Sequence, residues 1–110
     1  MKKNSKINLF ITLDEKKMPE KIEWEADDAQ FSGRKESKTM MLSLWDKNEN
    51  ITFSIDLWTK EMTVSEMQIH FYQILVKMAD TFQRATNNSE ASGMIRRFSL
   101  EFAKQAGINS

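Results

Sequence analysis

The stretch Leu42-Ser43-Leu44-Trp45-Asp46-Lys47-Asn48-Glu49-Asn50-Ile51-Thr52-Phe53-Ser54-Ile55-Asp56-Leu57-Trp58 decides how this chain is read. Ile51, Phe53, Ile55 and Leu57 alternate with Thr52, Ser54 and Asp56, the period of two that marks a strand with one buried face. Leu42 and Leu44 set the same alternation one strand earlier. Asp46 to Asn50 are residue types that tolerate turns, so the two strands are expected to be antiparallel neighbours. Parity fixes their register. Only an even-length loop centred on Asn48-Glu49 places Leu44 opposite Phe53 and Leu42 opposite Ile55, and a one-residue slip turns the apolar set to the other face.

Downstream the period changes to 3.6. Met67, Phe71, Ile74, Leu75, Met78, Ala79 and Phe82 share one stripe. Thr63 and Glu66 form a capping box, in which the hydroxyl and the carboxylate each satisfy an unpaired backbone N–H, so a helix is expected from Val64 to about Ala85. At ~1.5 Å per residue it spans about 33 Å. It stops at Asn87-Asn88, and a second helix capped by Ser89 carries Ala91, Met94, Ile95, Phe98, Phe102 and Ala106 on one face and ends at Gly107.

Upstream, Ile7 to Leu13 and Ile22 to Ala26 alternate as two further strands, joined across Asp14 to Lys21, with Pro19 in the connection where its missing N–H breaks no ladder. Leu13 is expected opposite Ile22, and Ile11 opposite Trp24. Residues 27 to 38 show no sustained period and read as a long, mobile connection. The expected fold is α+β: a four-stranded antiparallel sheet of two hairpins with two C-terminal helices on one face, in the order β-β-β-β-α-α, as a single domain of residues 1–110. Strand order is left open. Its expected core is Trp24, Leu42, Leu44, Phe53, Ile55, Phe71, Leu75, Met78 and Phe82.

Composition narrows the function classes. The 110 residues hold 16 Lys+Arg and 16 Asp+Glu, and the balance holds on both sides of Lys60, so no electrostatic footprint for nucleic acid or an anionic membrane is present. There is no cysteine, hence no disulfide, no thiolate nucleophile and no thiolate metal ligand. No apolar run reaches the ~20 residues of a membrane span. The start, Met1-Lys2-Lys3 before Ile7 to Leu13, lacks a signal-peptide cleavage site and reads as a first strand. The expected location is the cytoplasm.

A search for chemistry finds little. His70 is the only histidine and has no converging partners at helical spacing, so it reads as a polar flank of the helix. Glu23, Glu25, Asp27 and Asp28 lack the ligand pattern of a calcium loop. Asp46 starts a turn and Asp56 points outward from a strand, which weighs against a catalytic pair. There is no glycine-rich phosphate loop, nucleophile elbow or zinc spacing. The expectation is no enzyme activity, with no catalytic, cofactor-binding or metal-ligating residues.

One feature points outward. With the inner faces assigned as above, Phe10, Met41, Trp45 and Trp58 fall on the opposite side, among Thr12, Ser43, Thr52 and Ser54. Large aromatic rings remove on the order of 150 to 250 Å² from water when covered, so these four are the candidate partner-binding residues. Two alternatives stay open: that residues 27 to 38 fold over this face, or that Trp45 and Trp58 pack on each other.

Several runs resemble a known family: Lys21-Ile22-Glu23-Trp24-Glu25-Ala26-Asp27, Met41-Leu42-Ser43-Leu44-Trp45-Asp46-Lys47, Ile55-Asp56-Leu57-Trp58-Thr59-Lys60, and Met78-Ala79-Asp80-Thr81-Phe82 with Arg84-Ala85-Thr86. Together they resemble the gliding motility-associated protein GldC family. The resemblance implies a small accessory protein of bacterial surface gliding and carries over no catalytic residues and no mechanism. The element order is also similar to that of the export chaperone SecB, at the level of architecture alone. The function expected is a non-enzymatic, cytoplasmic gliding accessory that acts by protein–protein interaction; the alternative is a SecB-like chaperone for unfolded clients. A protein partner or self-association is expected, with closed symmetry making a homo-oligomer the usual way to cover a repeated apolar surface.

Overall fold

The computed structural model describes residues 2–108. The expected domain of 1–110 therefore includes Met1, Asn109 and Ser110, which lie outside the described residues, as does the first residue of the Met1-Lys2-Lys3 start. In chain order the elements are β1 (Ile7–Leu13), β2 (Pro19–Ala26), β3 (Lys35–Ser37), β4 (Thr39–Trp45), β5 (Thr52–Trp58), α1 (Val64–Thr86) and α2 (Ser89–Gln105). They fall into two compact units, Met1–Met62 with the strands and Thr63–Ser110 with the helices.

The β4–β5 hairpin has the expected register: Leu44 lies opposite Phe53 and Leu42 opposite Ile55. Its turn shows why. The Asp46 carboxylate accepts from the N–H groups of Asn48 at 3.0 Å and Glu49 at 2.8 Å, and the Asp46 N–H donates to the Ile51 carbonyl at 2.8 Å. Asn50 then takes the left-handed conformation, φ 56, which asparagine tolerates better than most residues. At the open end, Thr59 carries the ladder one step further, its N–H and its hydroxyl both donating to the Lys38 carbonyl.

The α+β class is as expected, but the single four-stranded sheet is not. The strands form a three-stranded sheet in the order β1-β2-β3 and a separate two-stranded β4–β5 ribbon. The expected long connection holds the extra strand. In it, Glu36 pairs with Glu23 and Ser37 with Ile22. Only Lys38 separates β3 from β4, so residues 35 to 45 are nearly continuous extended chain that pairs first with β2 and then with β5. A three-residue strand rich in charge carries no apolar alternation; it is placed by its backbone pairing with β2.

The first hairpin also departs from expectation. Ile11 lies opposite Ile22 and Leu9 opposite Trp24, two residues from the expected pairing. From Ile7 to Thr12 the shift preserves parity, so the faces survive there; at Leu13, expected opposite Ile22, the register slips again and Pro19 lies opposite instead. Its cause is a tighter turn: the Asp14 carboxylate accepts from Lys16 N–H at 2.8 Å and Met18 N–H at 3.0 Å, and Lys17 adopts φ 64. Pro19 therefore opens β2 instead of lying in a loop. As the first residue of a strand its missing N–H is tolerated. Ile22, at the centre of the middle strand, is 1% exposed and anchors this sheet.

In the helical unit Thr63 is the N-cap of α1, with the Thr63–Glu66 capping box complete in both directions, and Asn87 closes the helix in the left-handed conformation. The second cap is Asn88, one residue before the expected Ser89; its side chain accepts from Ala91 N–H at 3.1 Å. The α1–α2 seam is built from small residues. Ala79, Ser92 and Ser99 are buried, and the Ser92 hydroxyl donates to the Gln83 side chain. The expected α2 face is thereby rotated: Ser92 and Ser99 meet α1, while Met94 and Phe98 stay exposed. The nine-residue core is likewise corrected, since Leu44, Phe53, Ile55 and Met78 are each about half exposed and Phe71 more than a third.

Candidate interaction surface

The β4–β5 register sorts the ribbon into two faces. Leu42, Leu44, Phe53, Ile55 and Leu57 share one, and Met41, Ser43, Trp45, Thr52, Ser54, Asp56 and Trp58 the other. On the second face Trp45 is 66% exposed, Trp58 60% and Met41 45%. The two tryptophans stand at opposite ends, Trp45 opposite Thr52 and Trp58 opposite Thr39. Six residues at ~3.4 Å each separate them by about 20 Å along the ribbon. They do not pack on each other, and at these exposures residues 27 to 38 do not cover them. Met41 lies between them, two residues from Thr39 and four from Trp45.

Phe10 sits elsewhere, on β1 of the three-stranded sheet, opposite Glu23. Here the 27–38 segment does fold back. The Arg34 guanidinium lies 3.5 Å from the Phe10 ring centroid, a cation–π contact, and reaches Glu23 at 3.7 Å. On the other face Phe31 stands edge-on to Trp24 at 5.0 Å, with Lys35 over Phe31 at 4.7 Å. The structure thus brings Met41, Trp45 and Trp58 onto one ribbon and places Phe10 on a different sheet under a side chain of its own chain. Nothing in the spacing of residues 27 to 38 foretold these contacts; the one available signal was Phe31 among polar neighbours.

The acidic residues serve the framework. Glu23 pairs with Lys21 and Arg34, Asp27 accepts from the Lys6 N–H at 2.9 Å, Asp28 accepts from the Ser5 hydroxyl at 2.6 Å, and Glu25 accepts from the Asn8 amide at 3.3 Å. Asp46 is a turn former as expected. His70 contacts the adjacent Phe71 ring edge-on at 6.4 Å. At Asp14 the Met18 N–H lowers the carboxyl pKa, desolvation opposes this, and the Lys16 N–H and the charge of Lys60 lower it further. Among the described residues no three His, Asp or Glu side chains are placed to hold a metal ion, and no helix is long and apolar enough to cross a membrane.

Fold and surface define a small α+β protein, two sheets followed by a helical hairpin, whose distinctive surface is an exposed aromatic strand ribbon. The family model described as gliding motility-associated protein GldC-like matches residues 19–108. The chain belongs to this GldC-like family of gliding motility-associated proteins. No curated protein and no solved structure matches it.

Proposed function

We propose that this chain serves bacterial gliding as a non-enzymatic, cytoplasmic accessory protein that acts by protein–protein contact, with Met41, Trp45 and Trp58 as its anchors. One observation carries the reading: two tryptophans and a methionine lie on one face of a ribbon and are largely exposed. At roughly 200 Å² per ring and ~25 cal/mol per Å², covering the exposed part of each tryptophan is worth about 3 kcal/mol gross. Interface energy concentrates in such aromatic residues. Phe10 is the weakest of the four expected anchors, because Arg34 already occupies its ring face.

A second reading, a SecB-like chaperone, is favoured by the other face of the same ribbon, where Leu44, Phe53 and Ile55 are half exposed without a charge among them. Single replacement of Trp45 and Trp58 by alanine separates the two. A dedicated docking site loses cross-linking to its partner in gliding cells and never suppresses aggregation of an unrelated unfolded protein. A chaperone suppresses that aggregation as wild type and after each single change, because adaptable apolar contacts share the load. Unchanged partner cross-linking in both variants refutes the docking reading.

A further inference from the structure

The outer edge of β5 is an unpaired row of backbone donors and acceptors. At one end of the ribbon the Thr59 N–H donates to the Lys38 carbonyl at 2.8 Å, and at the other the Asp46 N–H donates to the Ile51 carbonyl at 2.8 Å. Backbone direction alternates along a strand, so the odd-numbered residues of β5 bond to β4, while Thr52, Ser54, Asp56 and Trp58 turn their N–H and C=O groups outward. β5 pairs with β4 alone, and its residues from Thr52 to Asp56 are exposed. Proteins blunt such edges with lysine, proline or a bulge. β5 has none of these: its one charge is Asp56, and its register with β4 is unbroken from Thr52 to Trp58. A ribbon of only two strands is also marginal in water, which a further strand relieves.

The pattern of β5 itself selects the added strand. Two β5 strands pair antiparallel only with outward residues against outward residues, so a two-fold axis must pass through a residue and not between two. Placed on Ile55, the axis pairs the whole strand: Thr52 exchanges backbone bonds with Trp58 of the second copy, and Ser54 with Asp56. Phe53 then meets Leu57 and Ile55 meets itself on one face, while on the other each Asp56 carboxylate lies against a serine hydroxyl. Moving the axis to Asp56 sets two carboxylates face to face. Moving it to Ser54 leaves Leu57 and Trp58 against Ile51 and Asn50 of the turn. The β1 edge of the three-stranded sheet is a poorer match: its register breaks between Thr12 and Leu13, and pairing it about Phe10 brings together two Arg34 guanidinium groups, each 3.5 Å from its own Phe10 ring centroid. Along β4 the outward residues continue, through Lys38, the side of β3 that β2 occupies.

We propose that two copies of this chain pair β5 to β5, antiparallel about Ile55, and join their ribbons into one four-stranded sheet. The contact is isologous and uses up the edge it forms on, so assembly stops at two. Met41, Trp45 and Trp58 keep their common face, and the seam does not depend on the docking role proposed for them. Sedimentation equilibrium of the full chain across the micromolar range is expected to give twice the 12.9 kDa chain mass. Ser54→Pro removes an outward N–H without touching the β4 ladder and weakens the dimer at least about 100-fold. Ser54→Asp sets a carboxylate against Asp56 of the second copy and weakens it about 10-fold; adding Asp56→Lys to that chain restores it, because the same register now pairs opposite charges. A second measurement needs no variant: in residue-resolved hydrogen exchange, the amides of Thr52, Ser54 and Asp56 are protected at high protein concentration and exchange on dilution, while those of Leu9 and Ile11, outward on β1, exchange freely at both. A monomer mass at every concentration, a dimer that survives Ser54→Pro, no rescue by Asp56→Lys, or concentration-dependent protection on β1 in place of β5 each overturns the proposal.

Discussion

Ile22 is the residue on which the three-stranded sheet closes, and its substitution separates burial from size. Ile22→Ala removes a 1%-exposed side chain and is expected to cost about 2 to 5 kcal/mol through lost transfer energy and the cavity left behind. Phe53→Ala removes a larger group that is half in water and is expected to cost less, as read by urea unfolding. At Asp14 the sign of the pH dependence follows from the lowered pKa. Its turn contribution is complete above the ordinary carboxylate value of 3.8 and is lost as pH falls through the lower folded value. The stability difference between wild type and Asp14→Ala should therefore shrink through the acid range below that value; a gap that stays constant there contradicts the assignment. Trp45 and Trp58 were legible as a shared face because strand parity alone assigns them. That Arg34 covers Phe10 was not legible, since a cation–π contact between distant positions leaves no periodic trace.

Among the elements, those that end in local chemistry were readable to the residue. The capping box put the start of α1 at Val64, and the turn formed by Asp46 and Asn50 set the β4–β5 register. Thr63→Ala removes one side of that box and is expected to cost about 1 kcal/mol, lowering the thermal midpoint followed at the helical circular dichroism band. Asn88→Ala should do the same at α2. Elements held by pairing or by small-residue contact were not readable. β3 has a charged, aperiodic sequence and exists because β2 offers it an edge. The rotation of α2 reflects Ser92 and Ser99, which an apolar-stripe reading passes over although small residues let two helix backbones approach closely.

At the scale of the whole molecule, alternation and helical stripes identify which residues share a face but not what covers it. That is why the expected single core dissolved while every face assignment on β4 and β5 held. The large apolar residues left exposed include those of a tryptophan-bearing ribbon in the strand unit and Met78, Met94 and Phe98 on the helical hairpin. Membership of the GldC-like family places the chain in gliding motility, and the ribbon is where the contact with that machinery is proposed. Trp45→Ala combined with Trp58→Ala removes both exposed rings without touching Ile22, Ala79 or either helix cap. The most direct measurement is cell gliding speed in a strain lacking the native chain and complemented with this double variant at matched protein level. Gliding reduced to the level of the uncomplemented strain, with circular dichroism of the purified variant unchanged, is the predicted result; gliding at wild-type speed would contradict the account.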